Sequence, residues 1–279
     1  MIRIVTDSAA DFEIAEYKER NIACIPLTVM FGDAEYQETV NLDKDGFYRL
    51  LHETGEFPKT AQASPGCLMD LIEDAKRCGD DLIYICLSSA LSGTCQTAMM
   101  TAEDSGYDRV FVVDSRNATG GQRMLVEYAV KLRDEGKTAE EIIAGVASIR
   151  DRVVLYACMD TLEYLYRGGR ISHTVYAIGS LAQIKPIITV DLKGAVEVPA
   201  KAMGMRKGMD YLCKRLEYQK PDPNFPVYAM YAENREVGET LTKKMSAMGI
   251  EVRDNLNVGA AIGSHIGPNA CGLVYIAEA

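Results

Sequence analysis

The stretch Asp81–Ala98, DLIYICLSSALSGTCQTA, combines a buried strand, a hydroxyl-rich turn and the start of a helix. Leu82–Leu87 is a short apolar run of the kind found in strands covered on both faces. Good helix formers follow from Cys95 to Glu103. The turn between them holds Ser88, Ser89, Ser92, Gly93 and Thr94. Since the first N–H groups of a helix lack partners and its dipole favours negative charge, this turn suits a phosphate or carboxylate group. The alternative is that Ser92 only caps the helix.

Two further predicted strands end in similar chemistry. VTDS at Val5–Ser8 and VVDS at Val112–Ser115 both place Asp-Ser directly after an apolar run. Strands alternate with helices throughout this half, which predicts a mainly parallel sheet covered on both faces. Ligands of such sheets bind beyond the carboxyl ends of the strands, so the recurring polar ends indicate a site at this edge.

The second half of the chain has a different pattern. Ile184–Val190 and Ala195–Pro199 are predicted strands joined by the turn Asp191–Gly194, which indicates an antiparallel hairpin. We therefore predict an α/β fold with a parallel-sheet domain over residues 1–157 and a second, α+β domain over residues 158–279. Three local predictions accompany this division: one strand over Ile22–Phe31, a polar loop over Thr54–Gln62 and a loop over Tyr164–Ile171.

Composition excludes several classes of function. The net charge of the 279-residue chain is −10, which argues against binding of nucleic acid or anionic membranes. No apolar run approaches the length of a membrane span, so we expect no stable membrane insertion. The eight cysteines form no C-x-x-C pair, and the three histidines lack metal-ligand spacing, so we expect no metal site and reduced thiols in a cytoplasmic protein.

Two residues in glycine-rich contexts are candidates for chemistry. His265 lies in the predicted loop IGSHIGPNACG, where glycines allow close approach to a ligand, although it can equally be a structural histidine. Arg170 closes YLYRGGRI and can bind an oxyanion bidentately or remain solvated. A hydrolase or phosphoryl-transfer enzyme using His265 with Ser92 or Asp7 is the alternative function, although G-x-S-x-G is absent.

Over essentially its whole length the chain resembles the DegV family of bacterial fatty-acid-binding proteins. The order and separation of seven motifs carry the resemblance: VTDSAAD at Val5–Asp11, KTAQASP at Lys59–Pro65, LSSALSGT at Leu87–Thr94, VVDS at Val112–Ser115, LEYLYRGGRIS at Leu162–Ser172, IKPII at Ile184–Ile188 and GSHIGP at Gly263–Pro268.

The resemblance implies a carrier without a chemical step of its own and without a cofactor. Such a protein holds one long-chain fatty acid between its two domains and presents the carboxyl group to a fatty acid kinase, which makes an acyl phosphate for phospholipid synthesis. By motif position, Thr60 and Ser92 hold the carboxylate with His265 nearby, and Arg170 faces the acyl phosphate or the kinase. The predicted ligand-binding set is completed by Gly93, Thr94 and Ser64.

The chain departs from the family pattern at several positions. Ala63 stands where the family usually has Pro, which predicts a less rigid loop around Thr60. Met203 and Met205 stand where basic residues are frequent, which weakens the prediction of a kinase partner. Milder departures are Arg123 after Gln122 and Asn269 after the GP pair, both at positions where glycine is common.

Overall fold

The computed structural model describes residues 1–179 and 183–279. The described residues form thirteen strands: β1 Ile2–Asp7, β2 Ile22–Ile25, β3 Thr28–Phe31, β4 Ala34–Gln37, β5 Lys59–Ala61, β6 Asp81–Cys86, β7 Val110–Asp114, β8 Val153–Cys158, β9 Ile184–Val190, β10 Val196–Met203, β11 Val227–Tyr231, β12 Val252–Asn257 and β13 Cys271–Ile276. Their helices are α1 Ile14–Glu19, α2 Lys44–Thr54, α3 Pro65–Cys78, α4 Thr94–Asp104, α5 Thr119–Asp134, α6 Ala139–Arg150, α7 Glu163–Arg167, α8 His173–Gly179, α9 Gly204–Tyr218, α10 Arg235–Ala247 and α11 Ala260–Ile266, with a 3₁₀ turn at Ser8–Ala10.

The N-terminal sheet is entirely parallel, with strand order β2-β1-β6-β7. Its three polar strand ends meet at one edge, as predicted. Asp7 Oδ2 accepts a hydrogen bond from Leu87 N at 2.8 Å, and Asp114 Oδ2 accepts one from Ser89 Oγ at 2.5 Å. Loops that are far apart in the sequence are thereby fixed next to each other at this edge.

The second sheet is mixed, with strand order β10-β9-β8-β13-β11-β12, and β9 and β10 form the predicted antiparallel hairpin. Helix α5 belongs to the first half of the chain but packs against β8 and β13 of this sheet. A Cβ atom at Gly120 would lie only 2.6 Å from Val274 Cγ1, so glycine allows the close contact. One hydrophobic core contains residues from both halves, including Leu125 and Val274. The predicted α/β fold, with a parallel first sheet and a separate mixed sheet, is confirmed.

The predicted single strand over residues 22–31 is wrong. Pro26 has no N–H group to donate to a sheet and separates β2 from β3. Strand β3 instead joins a small antiparallel sheet of order β4-β3-β5. Strand β5 lies inside the predicted polar loop Thr54–Gln62, and this third sheet positions Thr60.

Two predicted loops contain helices. Helix α7 occupies part of Tyr164–Ile171, and α11 carries His265. Two glycines of the second segment have structural roles in α11. A Cβ at Gly263 would lie 2.6 Å from Phe47 Cε1, so glycine allows close packing there. Gly267 ends the helix with φ +71°. Strand β8 belongs to the second sheet, so a boundary after residue 157 would cut through it. The division into two domains stays a prediction.

Candidate functional site

A largely apolar cavity lies between the carboxyl edge of the parallel sheet and the second sheet. The cavity volume is about 100 Å³. Both halves of the chain supply aliphatic walls, among them Leu27, Leu87, Ala118, Leu155, Ile188 and Val190.

We define the polar cluster as four polar side chains of this lining: Thr60, Ser92, Arg170 and His265. Thr119 and Tyr231 also line the cavity. Thr60 Oγ1 and His265 Nε2 are hydrogen-bonded at 2.8 Å across 205 positions of sequence. Burial, with the charge of Arg170 as a second cause, lowers the pKa of His265 to about 4. The imidazole is therefore neutral near pH 7. A neutral imidazole can donate to the Thr60 oxygen and leave the hydroxyl proton free for an anion.

A network of hydroxyl groups fixes the Ser92 loop. Ser92 Oγ and Thr94 Oγ1 are 2.9 Å apart, and Thr94 Oγ1 accepts a hydrogen bond from Ala63 N at 3.2 Å. Thr94 N donates to Ser92 Oγ at 3.3 Å, but the N-cap position of α4 is Gly93. The segment carrying Thr60 is thus tied directly to the segment carrying Ser92. Alanine at position 63 supplies an N–H donor that proline would lack.

Arg170 is half-buried beside the cavity. Its Nε donates to Leu91 O at 2.9 Å and its Nη1 donates to Gly168 O at 2.5 Å. Burial lowers the pKa of its guanidinium. Within the described part of the chain no carboxylate forms an ion pair with it, so a bound anion would be the first opposite charge in contact.

Asp7, the acid of the alternative enzymatic hypothesis, has the contacts of a residue that stabilises the fold. It is fully buried and accepts hydrogen bonds from Leu87 N, Gln122 Nε2 at 3.1 Å and Tyr84 OH at 3.3 Å. Burial raises its pKa. The hydroxyl of Ser92 bonds to Thr94 and His265 bonds to Thr60, so the contacts among described residues do not form a Ser-His-Asp relay.

Three residues of the predicted ligand-binding set do not line the cavity. Thr94 is buried beneath Ser92, Gly93 packs against Gln62, and Ser64 is exposed at the start of α3. A Cβ at Gly93 would lie 2.3 Å from Gln62 Oε1, so a larger residue at position 93 would displace the Gln62 side chain. Direct binding by these three residues stays a prediction.

Sequence reasoning missed Thr119 and the walls of the cavity. Thr119 is buried, lines the cavity and has φ +46°, an unusual conformation for a β-branched residue. The only sequence signal was its position after the polar end VVDS. Wall residues such as Ile188 are indistinguishable in sequence from ordinary core residues.

Neither a metal centre nor a membrane span is found in the described ranges. No group of three or more His, Cys, Asp or Glu side chains there has an arrangement that could hold a metal ion. None of the helices described is long and apolar enough to cross a bilayer.

Comparison with known proteins agrees with this geometry. The profile of the family described as "Uncharacterised protein, DegV family" matches residues 1–278. A DegV domain-containing protein of Caldanaerobacter subterraneus subsp. tengcongensis is 35% identical, and the alignment covers 98% of each chain. A fatty acid-binding DegV family protein of Thermus thermophilus superposes with a TM-score of 0.89 at 28% identity, over 99% of each chain. DegV of Bacillus subtilis, described as a fatty acid binding protein, gives a TM-score of 0.85 at 30% identity, again over 99% of each chain. The resemblance seen in the motifs is confirmed, and this chain belongs to the DegV family.

Proposed function

We propose that this protein binds one long-chain fatty acid in the cavity, with the carboxylate at the polar cluster. The observation that carries the proposal is an apolar space between the two sheets that is lined by the polar cluster with its Thr60–His265 contact. The two solved relatives named above are described as fatty acid-binding proteins.

Burial of the acyl chain supplies most of the binding free energy. A C16 chain has about fourteen methylenes, and at ~0.8 kcal/mol each their burial gives ~10 kcal/mol before entropic costs. The carboxylate then needs only enough donors to replace its water. The hydroxyls of Thr60 and Ser92 supply neutral donors, and Arg170 supplies the nearby positive charge.

We further propose that the protein acts in the cytoplasm and presents the carboxyl group to a fatty acid kinase. The family resemblance supports this step. Neutral donors leave a carboxylate oxygen free to attack a phosphoryl group, and in this proposal Arg170 contacts the acyl phosphate or the kinase. Met203 is exposed while Met205 Sδ packs 3.7 Å from Cys271 Sγ. The first of these two departures therefore changes the surface offered to a partner more than the second, which is only partly exposed.

Binding and presentation are separable by mutation. Ser92→Ala should weaken palmitic acid binding roughly ten- to a hundredfold, because a hydrogen bond to a charged group contributes ~1.5–3 kcal/mol. Arg170→Ala should affect binding less and mainly lower acyl-phosphate formation by a fatty acid kinase with ATP. Native mass spectrometry of delipidated and reloaded protein measures the first effect, and a coupled kinase assay measures the second.

The exposed Ser148, on α6 and away from the cavity, provides a matched control as Ser148→Ala. Wild-type protein that takes up no palmitic acid would refute the binding proposal. Equal losses in both assays for Ser92→Ala and Arg170→Ala would contradict the division between binding and presentation.

A further inference from the structure

Two buried carboxylates, which we call the acid pair, hold the N-terminal end of α11. Glu38 Oε1 accepts hydrogen bonds from Ala260 N and from Ala261 N, the latter at 3.3 Å. Asp11 Oδ1 accepts a hydrogen bond from Gly259 N at 2.9 Å. A Cβ at Gly259 would lie 2.2 Å from Glu38 Oε1 and 2.8 Å from Asp11 Oδ1, so the two carboxylates converge on one point of the backbone.

The acid pair touches both sides of the cavity wall without lining the cavity. Helix α11 presents Ala261, Ile262 and His265 to the cavity. On the opposite side, Ser8 Oγ donates to Glu38 Oε2 at 2.6 Å and accepts a hydrogen bond from Leu27 N at 3.0 Å, and Leu27 also lines the cavity. Glu38 therefore joins the first half of the chain to the helix that carries His265.

The pair lacks a directly bonded cation. Lys44 Nζ donates to the backbone carbonyl of Asp11 and to Glu13, while Arg123 is paired with Glu16 and Glu127. In the described ranges neither Asp11 nor Glu38 belongs to an ion pair, and the hydroxyl of Thr119 lies beside the buried carboxyl of Asp11. The other titratable groups facing the pair are Tyr17, Tyr48 and Cys24.

Two buried carboxylates that converge on one point favour protonation of one of them. Burial, and for Glu38 also the neighbouring Asp11, raise the pKa of both carboxyls, that of Asp11 to about 6 and that of Glu38 to about 7. Burial also raises the pKa values of Tyr17, Tyr48 and Cys24, so these three remain neutral where the acids titrate.

We propose that Glu38 and Asp11 are positioning residues that hold α11 against the first half of the chain, and that a proton on the pair favours fatty acid binding. When both carboxylates are ionised they repel each other at Gly259 and loosen the contact with the helix. One proton removes the repulsion while the other carboxylate keeps its backbone donors. This inference rests on the proposed binding of a fatty acid.

Palmitic acid affinity between pH 6.0 and 8.5, measured with the ligand kept monomeric, tests the proposal, because the carboxyl of the monomeric acid is largely ionised over that range. Wild-type affinity should fall roughly three- to tenfold as pH rises, since binding is linked to proton uptake. Glu38→Gln keeps an acceptor for the helix and carries no charge. It should bind at pH 8.5 about as tightly as wild type at pH 6.0, with a flat profile.

Glu38→Ala removes the acceptor and should bind at least tenfold more weakly at every pH. The exposed Glu35 of β4 gives the matched control Glu35→Gln, which should keep the wild-type profile. A purely structural Glu38 would leave the slope of Glu38→Gln equal to that of wild type, and that result would overturn the inference while fatty acid binding stood. Wild-type protein that binds palmitic acid at no pH would overturn the proposed function instead.

Ligand-free thermal unfolding gives an independent readout of the acid pair. Acids whose pKa values are raised in the fold stabilise it at low pH, and this contribution is lost as pH rises through 6 to 7. The loss should be smaller in Glu38→Gln than in wild type. A pH profile of unfolding that is the same in Glu38→Gln and wild type would contradict protonation of the acid pair directly.

Discussion

The two sides of the cavity are built differently. The polar cluster depends on single contacts between distant segments, such as Thr60 with His265 and Arg170 with Leu91 O. The wall formed by β8 and β9 is a continuous apolar surface that includes Leu155 and Ile188. The wall can supply affinity because burial of an acyl chain does not require exact positions of individual side chains. The polar cluster orients the carboxylate, and its geometry depends on several contacts between distant segments. Changes to the wall should therefore have the larger effect on binding.

Blocking the wall is the strongest test of this difference. Ala157→Phe would place a ring in the cavity, and exclusion of about four methylenes costs ~3 kcal/mol, roughly a hundredfold loss of palmitic acid affinity. Isothermal titration with delipidated protein measures the loss. The exposed Ala147→Phe on α6 is the control. Full affinity in folded Ala157→Phe would place the acyl chain elsewhere.

The polar cluster was the part of the site most accessible from sequence. Asp-Ser at the ends of β1 and β7 predicted that the strand ends meet, because parallel strands place their carboxyl ends on one edge. The family motifs added Thr60, Ser92 and His265. Only the structure shows how folding brings these three residues together, because Thr60 lies on β5, which belongs to a small antiparallel sheet.

The remaining features had no readable signal. Apolar runs such as Ile184–Val190 look the same whether they face a cavity or a packed core. Glu38 lies in the stretch YQETVNLD, a context typical of an exposed turn, yet it is buried by contacts to residues more than 200 positions away. The glycines around His265 indicated a loop, whereas they permit a helix to pack closely.

The pH dependence of stability distinguishes His265 from its acidic counterparts at the other end of α11. Its folded pKa of about 4 lies below the ordinary value near 6.5, so the unfolded state binds more protons between these pH values. Its contribution to stability is complete above pH 6.5 and is lost as pH falls toward 4. Chemical denaturation of ligand-free protein measures the free energy of unfolding. Its decrease between pH 7 and pH 5 should be roughly 2 kcal/mol smaller in His265→Gln than in wild type.

The difference between the pH profiles of His265→Gln and wild type isolates this group from the acid pair, whose contribution has the opposite sign. His52, which is exposed and contacts Glu233, provides the control His52→Gln. Parallel profiles for His265→Gln and wild type would show that the imidazole titrates normally, and would remove the argument for a neutral donor beside Thr60.

The smallest effect is expected where the two loops of the polar cluster meet. Ala63→Pro removes the donor to Thr94 Oγ1, a neutral hydrogen bond that contributes ~0.5–1.5 kcal/mol, while proline lowers the entropy of the unfolded chain by ~0.4–1 kcal/mol. The terms nearly cancel, so unfolding free energy should change by less than ~1 kcal/mol and palmitic acid affinity by less than ~3-fold. Ala147→Pro, inside α6, should cost ~3 kcal/mol in the same denaturation assay. A comparable loss in Ala63→Pro would mean that the Ala63 N–H is essential for placing Thr60, and that the polar cluster tolerates less change than the hydrogen-bond estimate allows.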